Sequence, residues 1–326
     1  MLNNLNQEQR EAVEHKDGPL LIVAGAGTGK TTVITKRIAY IIKKEWARPE
    51  EILALTFTEK AAQEMEDRVI DALTYGYFDL WISTFHSFAE RILRQEGLAI
   101  GLPTDFKLLN EFEQYILFKK NLDRFELDYY KPLGNPTKFI KTLLNHFSRA
   151  KDEDITPAQY LAYAEELEQN LDNMLSGSKG KKTGGSISHP TGDHPKGGNF
   201  QDADGNFNEE IAVSEVARIK EIANAYHTYE QLLLENSYLD FGDLINYCLK
   251  LFRERSQVLE KYRGQFKYIL LDEFQDTNWA QYELIKLLAA PRNNLVTVGD
   301  DEQAIFAFRG ASMSNILQFQ KDYPEA

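Results

Sequence analysis

Cysteine is all but missing from this sequence. Among 326 residues Cys248 stands alone, so no disulfide can form within the chain, and a reducing compartment, the cytoplasm, is the simplest setting. Positive charge is scarce as well: 37 Lys and Arg face 50 Asp and Glu, for a net charge of −13. The surface as a whole does not attract a polyanion, so any nucleic-acid site must be a local groove whose field differs from the average. No apolar run approaches the length of a membrane span, and the opening MLNNLNQEQREAVEHKDG lacks the apolar core of a signal peptide. What is present is a 43% hydrophobic composition, enough to bury real cores, in a length that accommodates about two domains.

Five short apolar runs read as buried strands: PLLIVAG, ILALTF, LWISTF, KYILLDE and NLVTVGD. Helical periodicity follows most of them. After the first, Val33, Ile34, Ile38, Ile41 and Ile42 share a face. Apolar strands alternating with amphipathic helices predict an α/β fold with a parallel sheet covered on both faces. Between the third and fourth runs the pattern becomes helical, which predicts an all-helical subdomain inserted at 110–236 into a discontinuous domain of 1–109 and 237–326. Within the insertion, 173–210 is rich in Gly, Ser and Lys and is expected to be a disordered loop. It carries two decoys. DADGNFNEE mimics a calcium loop through Asp202, Asp204 and Asn206, but Phe207 stands where glycine is required and Val213 where a bidentate glutamate is required. His189 and His194 have no Cys or His partners at metal spacing.

The stretch VAGAGTGKTT follows the first strand. A strand entering a glycine-rich turn and then a helix aims a nest of backbone N–H groups at anionic oxygens. Residues Ala24, Gly25, Ala26, Gly27, Thr28, Gly29, Lys30, Thr31 and Thr32 would cradle a nucleoside triphosphate. Gly27 and Gly29 allow the curl, Lys30 reaches the β- and γ-phosphates, and the Thr31 hydroxyl faces Mg²⁺. The pattern G-x-x-x-x-G-K-[ST] is broken at its first position by Ala24, a residue small enough to keep the turn. Far downstream, YILLDEFQD ends a strand at Asp272, on the same sheet edge as the phosphate loop. Asp272 would hold Mg²⁺ with Thr31, and Glu273 would take a proton from an attacking water. Together these motifs predict hydrolysis of a nucleoside triphosphate with Mg²⁺.

Several further motifs, in order, resemble those of the UvrD/Rep/PcrA-like superfamily 1 helicases: LNQEQREAV, AGAGTGKT, LALTFTEKAAQEM, ISTFHSF, LDFGDLI, LLDEFQDTN and VGDDEQAIFAFRGA. The resemblance covers nearly the whole chain apart from the loop in the insertion. It implies a RecA-like P-loop NTPase sheet, with Gln9 on the adenine edge and Gln303 sensing the γ-phosphate. It also implies an ATP-dependent translocase that walks 3′ to 5′ on single-stranded DNA. The residue chemistry points the same way. Motors on single strands need aromatic platforms that accept any base, and Phe57, His86, Phe306 and Phe308 follow strand ends at the nucleotide edge, with Arg309 beside the last two.

Some positions depart from the family pattern. Phe306 and Phe308 replace the usual Tyr and Trp, Glu59 a usual Asn, Glu302 a usual Asp, and Ala304 a usual Ser. These changes bear on DNA affinity more than on ATP chemistry. The family's second motor domain, with its γ-phosphate arginines, has no counterpart in this sequence. Such arginines are worth about 10³ to 10⁵ in rate in phosphoryl-transfer enzymes, so this chain is expected to bind Mg·ATP weakly, hydrolyse it little and unwind nothing alone. Two other readings fit the motifs: the motor part of an AddA/RecB-type helicase–nuclease, and a nucleotide-dependent DNA-binding module without motor activity.

Overall fold

The computed structural model describes residues 2, 4–73, 79–176, 208–300 and 312–326. The chain divides into two compact units, one of residues 1–104 with 244–326 and the other of residues 105–243.

The first unit is built on a five-stranded sheet of β1 (Leu20–Val23), β2 (Ile52–Thr56), β3 (Trp81–Thr84), β6 (Tyr268–Leu271) and β7 (Leu295–Gly299). All five predicted strands are present. Their order is β1-β7-β6-β2-β3, and every pairing is parallel. The three central strands are buried at every position, while β1 and β3 at the margins are only partly so. This is why the central runs are continuously apolar rather than alternating. Helices flank the sheet. On α2 (Lys30–Lys43), Val33, Ile34, Ile38 and Ile41 are buried, and on α3 (Glu59–Leu73) Ala62, Met65 and Val69. Ile34, Ile38, Ile41, Met65 and Val69 pack with Ala54, Leu270, Val296 and Val298 of the sheet into one core. In α4 (Phe85–Glu96), Phe88 is buried and meets Trp81 edge-on at 6.2 Å, a packing role rather than a ligand-facing one.

The register aligns the strand ends. Val23 lies beside Gly299, Leu55 beside Leu271, and Thr56 beside Thr84. The phosphate loop, Asp272, Asp300, Phe57 and the start of α4 therefore all issue from one edge of the sheet, where parallel α/β folds bind ligands.

The second unit begins and ends with a two-residue parallel ladder, β4 (Lys107–Leu108) with β5 (Tyr238–Leu239). That pairing draws the boundaries outward from the expected 109/110 and 236/237, because both flanking segments belong to the inserted unit. Its helices α5 (Glu111–Lys120), α6 (Ile140–Asp152), α7 (Pro157–Ser176) and α8 (Glu209–Glu235) enclose a core in which Phe118 stacks on Phe125 at 3.8 Å and Phe147 on Tyr226 at 5.1 Å. The expected loop of 173–210 is corrected at both ends. Helix α7 runs on to Ser176, with Leu171 buried near its end, and α8 starts at Glu209. The Asn208 side chain accepts from the Ile211 N–H at 3.1 Å and caps α8. His189, His194, Asp202, Asp204, Asn206 and Phe207 lie outside the described residues, and Val213 is an exposed residue of α8.

This unit also buries a lysine. Lys151 is 1% exposed and pairs with Glu230 at 2.6 Å and with Asp240 and Asp243 at 2.7 Å each. Asp240 and Asp243 exchange backbone-to-side-chain bonds of 2.8 and 3.1 Å where α9 (Phe241–Glu254) begins. Gly242 is small for a reason: a Cβ there would meet Lys151 Cδ at 2.8 Å. In the motif LDFGDLI, then, both acids and the glycine are committed to holding one buried cation.

Candidate functional site

The phosphate loop leaves β1 through Ala24, whose N–H donates to the Gly299 carbonyl at 3.0 Å. Gly27 and Gly29 take φ of 75° and 88°, a left-handed conformation that favours glycine. The Thr28 hydroxyl donates to the Gly25 carbonyl at 2.8 Å and closes the turn. Helix α2 then starts at Lys30, with its first N–H groups facing the loop. Ala26, Gly27, Gly29, Lys30, Thr31 and Thr32 line a cleft of about 340 Å³, completed by Glu273 and Arg68.

Three strand ends converge on this cleft. Lys30 Nζ donates to Asp300 Oδ2 at 2.9 Å and lies 3.9 Å from Glu273 Oε2. The Thr31 hydroxyl donates to Asp272 Oδ2 at 3.3 Å. Asp272 is buried, and burial, reinforced by the neighbouring Glu273 charge, pushes its carboxyl up to about 6 against the opposing pull of the Glu273 N–H, Thr31 and Lys30. Such a carboxylate lacks positive charge. A hard divalent cation held by Asp272 and the Thr31 hydroxyl would supply it, and oxygen donors of this kind suit Mg²⁺, so the donor set fits that ion.

Glu273 adopts φ 52° and ψ 46°, the left-handed region, which is unusual for a residue with a side chain. Its N–H donates back to Asp272 Oδ1 at 3.1 Å. The Gln275 amide donates to Glu273 Oε2 at 2.6 Å, and its oxygen accepts the Asp300 N–H at 2.9 Å. Gly299 leaves the room for this bridge, since a Cβ there would lie 3.2 Å from Gln275 Oε1. One buried amide thus ties Glu273 to the first residue beyond β7.

Gln9 sits at the loop's outer side. Its Oε1 accepts from the Asn6 N–H at 3.1 Å in a reciprocal cap of α1 (Gln7–Glu14), and its Nε2 donates to the Thr28 carbonyl at 2.9 Å. Both polar atoms of this side chain are engaged with backbone. At the other end of α1, the buried Arg37 guanidinium donates to the carbonyls of Ala12 (2.9 Å), Val13 (3.3 Å) and His15. It is a cation at a helix C-terminus, where the carbonyl dipoles favour one.

The residues expected to meet nucleic acid are partly placed. Phe57 follows β2 and is 48% exposed. His86, in the first turn of α4, is largely enclosed, and burial lowers its pKa against the opposing charge of Glu59. Gln303, Phe306, Phe308 and Arg309 lie outside the described residues. Sequence reasoning passed over three side chains at the site. Asp300 could have been found by the logic used for Asp272, as an acid ending a buried strand. Arg68 is carried to the cleft from within α3, and Gln275 acts through contacts across the chain; neither has a local signal.

The model of the UvrD/REP helicase N-terminal domain matches residues 5–187 and 192–324. The ATP-dependent DNA helicase PcrA of Bacillus subtilis is 38% identical over 327 residues, covering 100% of this chain and 36% of that protein. PcrA of Leuconostoc citreum and of Staphylococcus aureus (strain Mu50) are each 37% identical, again across the whole chain and over 36% and 37% of their own lengths. The chain therefore spans a little over a third of the length of these curated relatives. No helix among the described residues is long and apolar enough to cross a membrane.

Proposed function

The chain belongs to the UvrD/REP helicase family, and on that premise we propose that it is the ATP-binding motor unit of a translocase on single-stranded DNA, working 3′ to 5′ as the family resemblance implies. The observation that carries this reading is the convergence of Lys30, Thr31, Asp272 and Glu273, drawn from two distant parts of the sequence, on one cleft at the sheet edge.

ATP enters with its phosphates against the loop from Ala24 to Thr32. Lys30 gives up its pairing with Asp300 to meet the β- and γ-oxygens. Thr31 and Asp272 hold Mg²⁺, which when bound neutralises charge on the transferring phosphoryl group. Glu273 accepts the proton of the attacking water, and the Gln275 amide keeps its carboxylate oriented. Arg68, paired with Glu64 on the same helix, lines the cleft as well. Gln303 reports the γ-phosphate to the segment carrying Phe306, Phe308 and Arg309, and these rings, with the exposed Phe57, give the strand stacking faces, while the enclosed His86 supports the edge from behind. Arginines from a second motor domain complete the γ-phosphate site, so this chain alone hydrolyses slowly and does not unwind.

Equilibrium binding of a fluorescent ATP analogue, with and without Mg²⁺ and a single-stranded oligonucleotide, tests the proposal. Mg²⁺-dependent nucleotide binding that Lys30→Ala abolishes is expected, with oligonucleotide-stimulated turnover near background. Nucleotide binding indifferent to Mg²⁺ and to Lys30 would overturn the site. Fast stimulated turnover by this chain alone would overturn the need for a second half.

A further inference from the structure

Glu59 is an exposed acid at the nucleotide edge of the sheet, and the structure gives its carboxylate a definite seat. It occupies the first turn of α3, just beyond Phe57 at the end of β2. Its Oε1 accepts from the Thr84 hydroxyl at 2.7 Å and from the Ser87 hydroxyl at 2.5 Å. Thr84 is the residue that caps α4, its Oγ1 also accepting the Ser87 N–H at 3.1 Å. A full negative charge is thereby fixed over the starts of two helices, where backbone dipoles favour an anion. The hydroxyls of Thr84 and Ser87 hold that charge in place and stabilise it: with both hydrogen bonds made, the Glu59 carboxyl titrates below its ordinary range. Its titratable neighbour His86 is enclosed and its pKa is lowered, which favours the neutral ring.

We propose that Glu59 is an affinity-setting residue for the single strand: it plants a negative charge two residues beyond the exposed Phe57 and ties up the Ser87 hydroxyl, so that a polynucleotide backbone crossing this edge is held more weakly than the surrounding geometry allows. This deepens the single-strand reading above and rests on it. A phosphate approaching Ser87 meets an anion already bound to it. The phosphate of a mononucleotide in the cleft is bound elsewhere, by the loop before α2. Glu59 therefore weights grip on the strand separately from grip on ATP, which is the adjustment a motor that must release and regrip its track can use.

The test is fluorescence anisotropy with a labelled oligo-dT on the intact chain, across a salt series, for wild type, Glu59→Gln and Glu59→Asn. Gln keeps an acceptor oxygen for Thr84 and Ser87 and removes the charge. Asn also removes it, on a shorter arm, and serves if Gln disturbs folding as judged by thermal melting. The neutral variants should bind roughly tenfold more tightly at low salt, the effect of one unit charge acting over about 12 Å near a protein surface. The slope of log affinity against log salt should steepen by up to about 0.7 if one more phosphate is engaged. Unchanged affinity in well-folded neutral variants, with wild type still binding, overturns the role of Glu59 and leaves the single-strand reading standing. A gain in affinity that persists unchanged at high salt also overturns it, because the effect would not be electrostatic. Failure of wild type and variants alike to bind at the lowest salt overturns the single-strand reading itself.

Discussion

Replacing Asp272 with Asn should make the ligand-free protein more stable while removing the carboxylate proposed to hold Mg²⁺. The Asp272 carboxyl, 4% exposed, is raised from its ordinary 3.8 to about 6. Because the folded value lies above the unfolded one, the folded state binds the extra proton. The stability this provides is complete below about pH 4 and is lost as the pH climbs through about 6. Two pKa units at 1.36 kcal/mol each put the loss at about 3 kcal/mol at neutral pH. Asn does not titrate and keeps the local bonds: its oxygen can accept the Glu273 N–H, and its amide can donate to the Thr31 hydroxyl. Thermal melting in EDTA at pH 8 should show Asp272→Asn about 5–10 °C above wild type for a unit of this size. At pH 4.5 the gap should shrink to about a third. Added Mg²⁺ and nucleotide should raise the wild-type melting point and leave the variant where it was. A variant less stable than wild type at pH 8, or a gap that does not change with pH, would refute the argument that burial against Glu273 leaves this carboxylate short of positive charge.

Other changes have equally definite outcomes. Lys30→Ala removes the cation paired with buried Asp300, so alongside the loss of nucleotide binding a calorimetric scan should show a cost of order 3 kcal/mol. Adding Asp300→Asn should recover part of the stability and none of the binding. Gln275→Leu should lower steady-state ATP turnover, measured with the second motor domain present, by about tenfold or more with little change in KM, because Glu273 loses the amide that orients it. Lys151→Met leaves Glu230, Asp240 and Asp243 buried without their shared cation, and urea unfolding should report a loss of about 3–5 kcal/mol.

Much of this architecture is legible along the chain. The five strands are visible because a strand buried on both faces must be apolar at every step, and the phosphate loop is visible because glycines at two left-handed positions precede a lysine that opens a helix. Asp272 and Glu273 could be placed at the right edge because an acid ends a buried run. The ends of the helical insertion were harder. The Lys107–Leu108 ladder is two residues long, too short to show a period, and its partner lies more than a hundred residues away. The limits of α7 and α8 were masked by the polar composition that adjoins them, although Asn208 is a cap. At the site, Gln275 and Arg68 act across the fold through contacts with no sequence spacing, and the double engagement of Gln9 depends on where the Thr28 carbonyl happens to point. The residues following Asp300 are legible as a motif alone, since they fall outside the described structure.

The ladder at the neck of the inserted unit has an evolutionary corollary. A module whose incoming and outgoing strands are hydrogen-bonded to each other has neighbouring ends, so the gap it would leave in its host could be closed by a short linker at little entropic cost. Such a module can be lengthened, trimmed or exchanged with little disturbance to the chain that carries it. The five-stranded sheet and its cleft can thus stay constant while the helical cassette is altered.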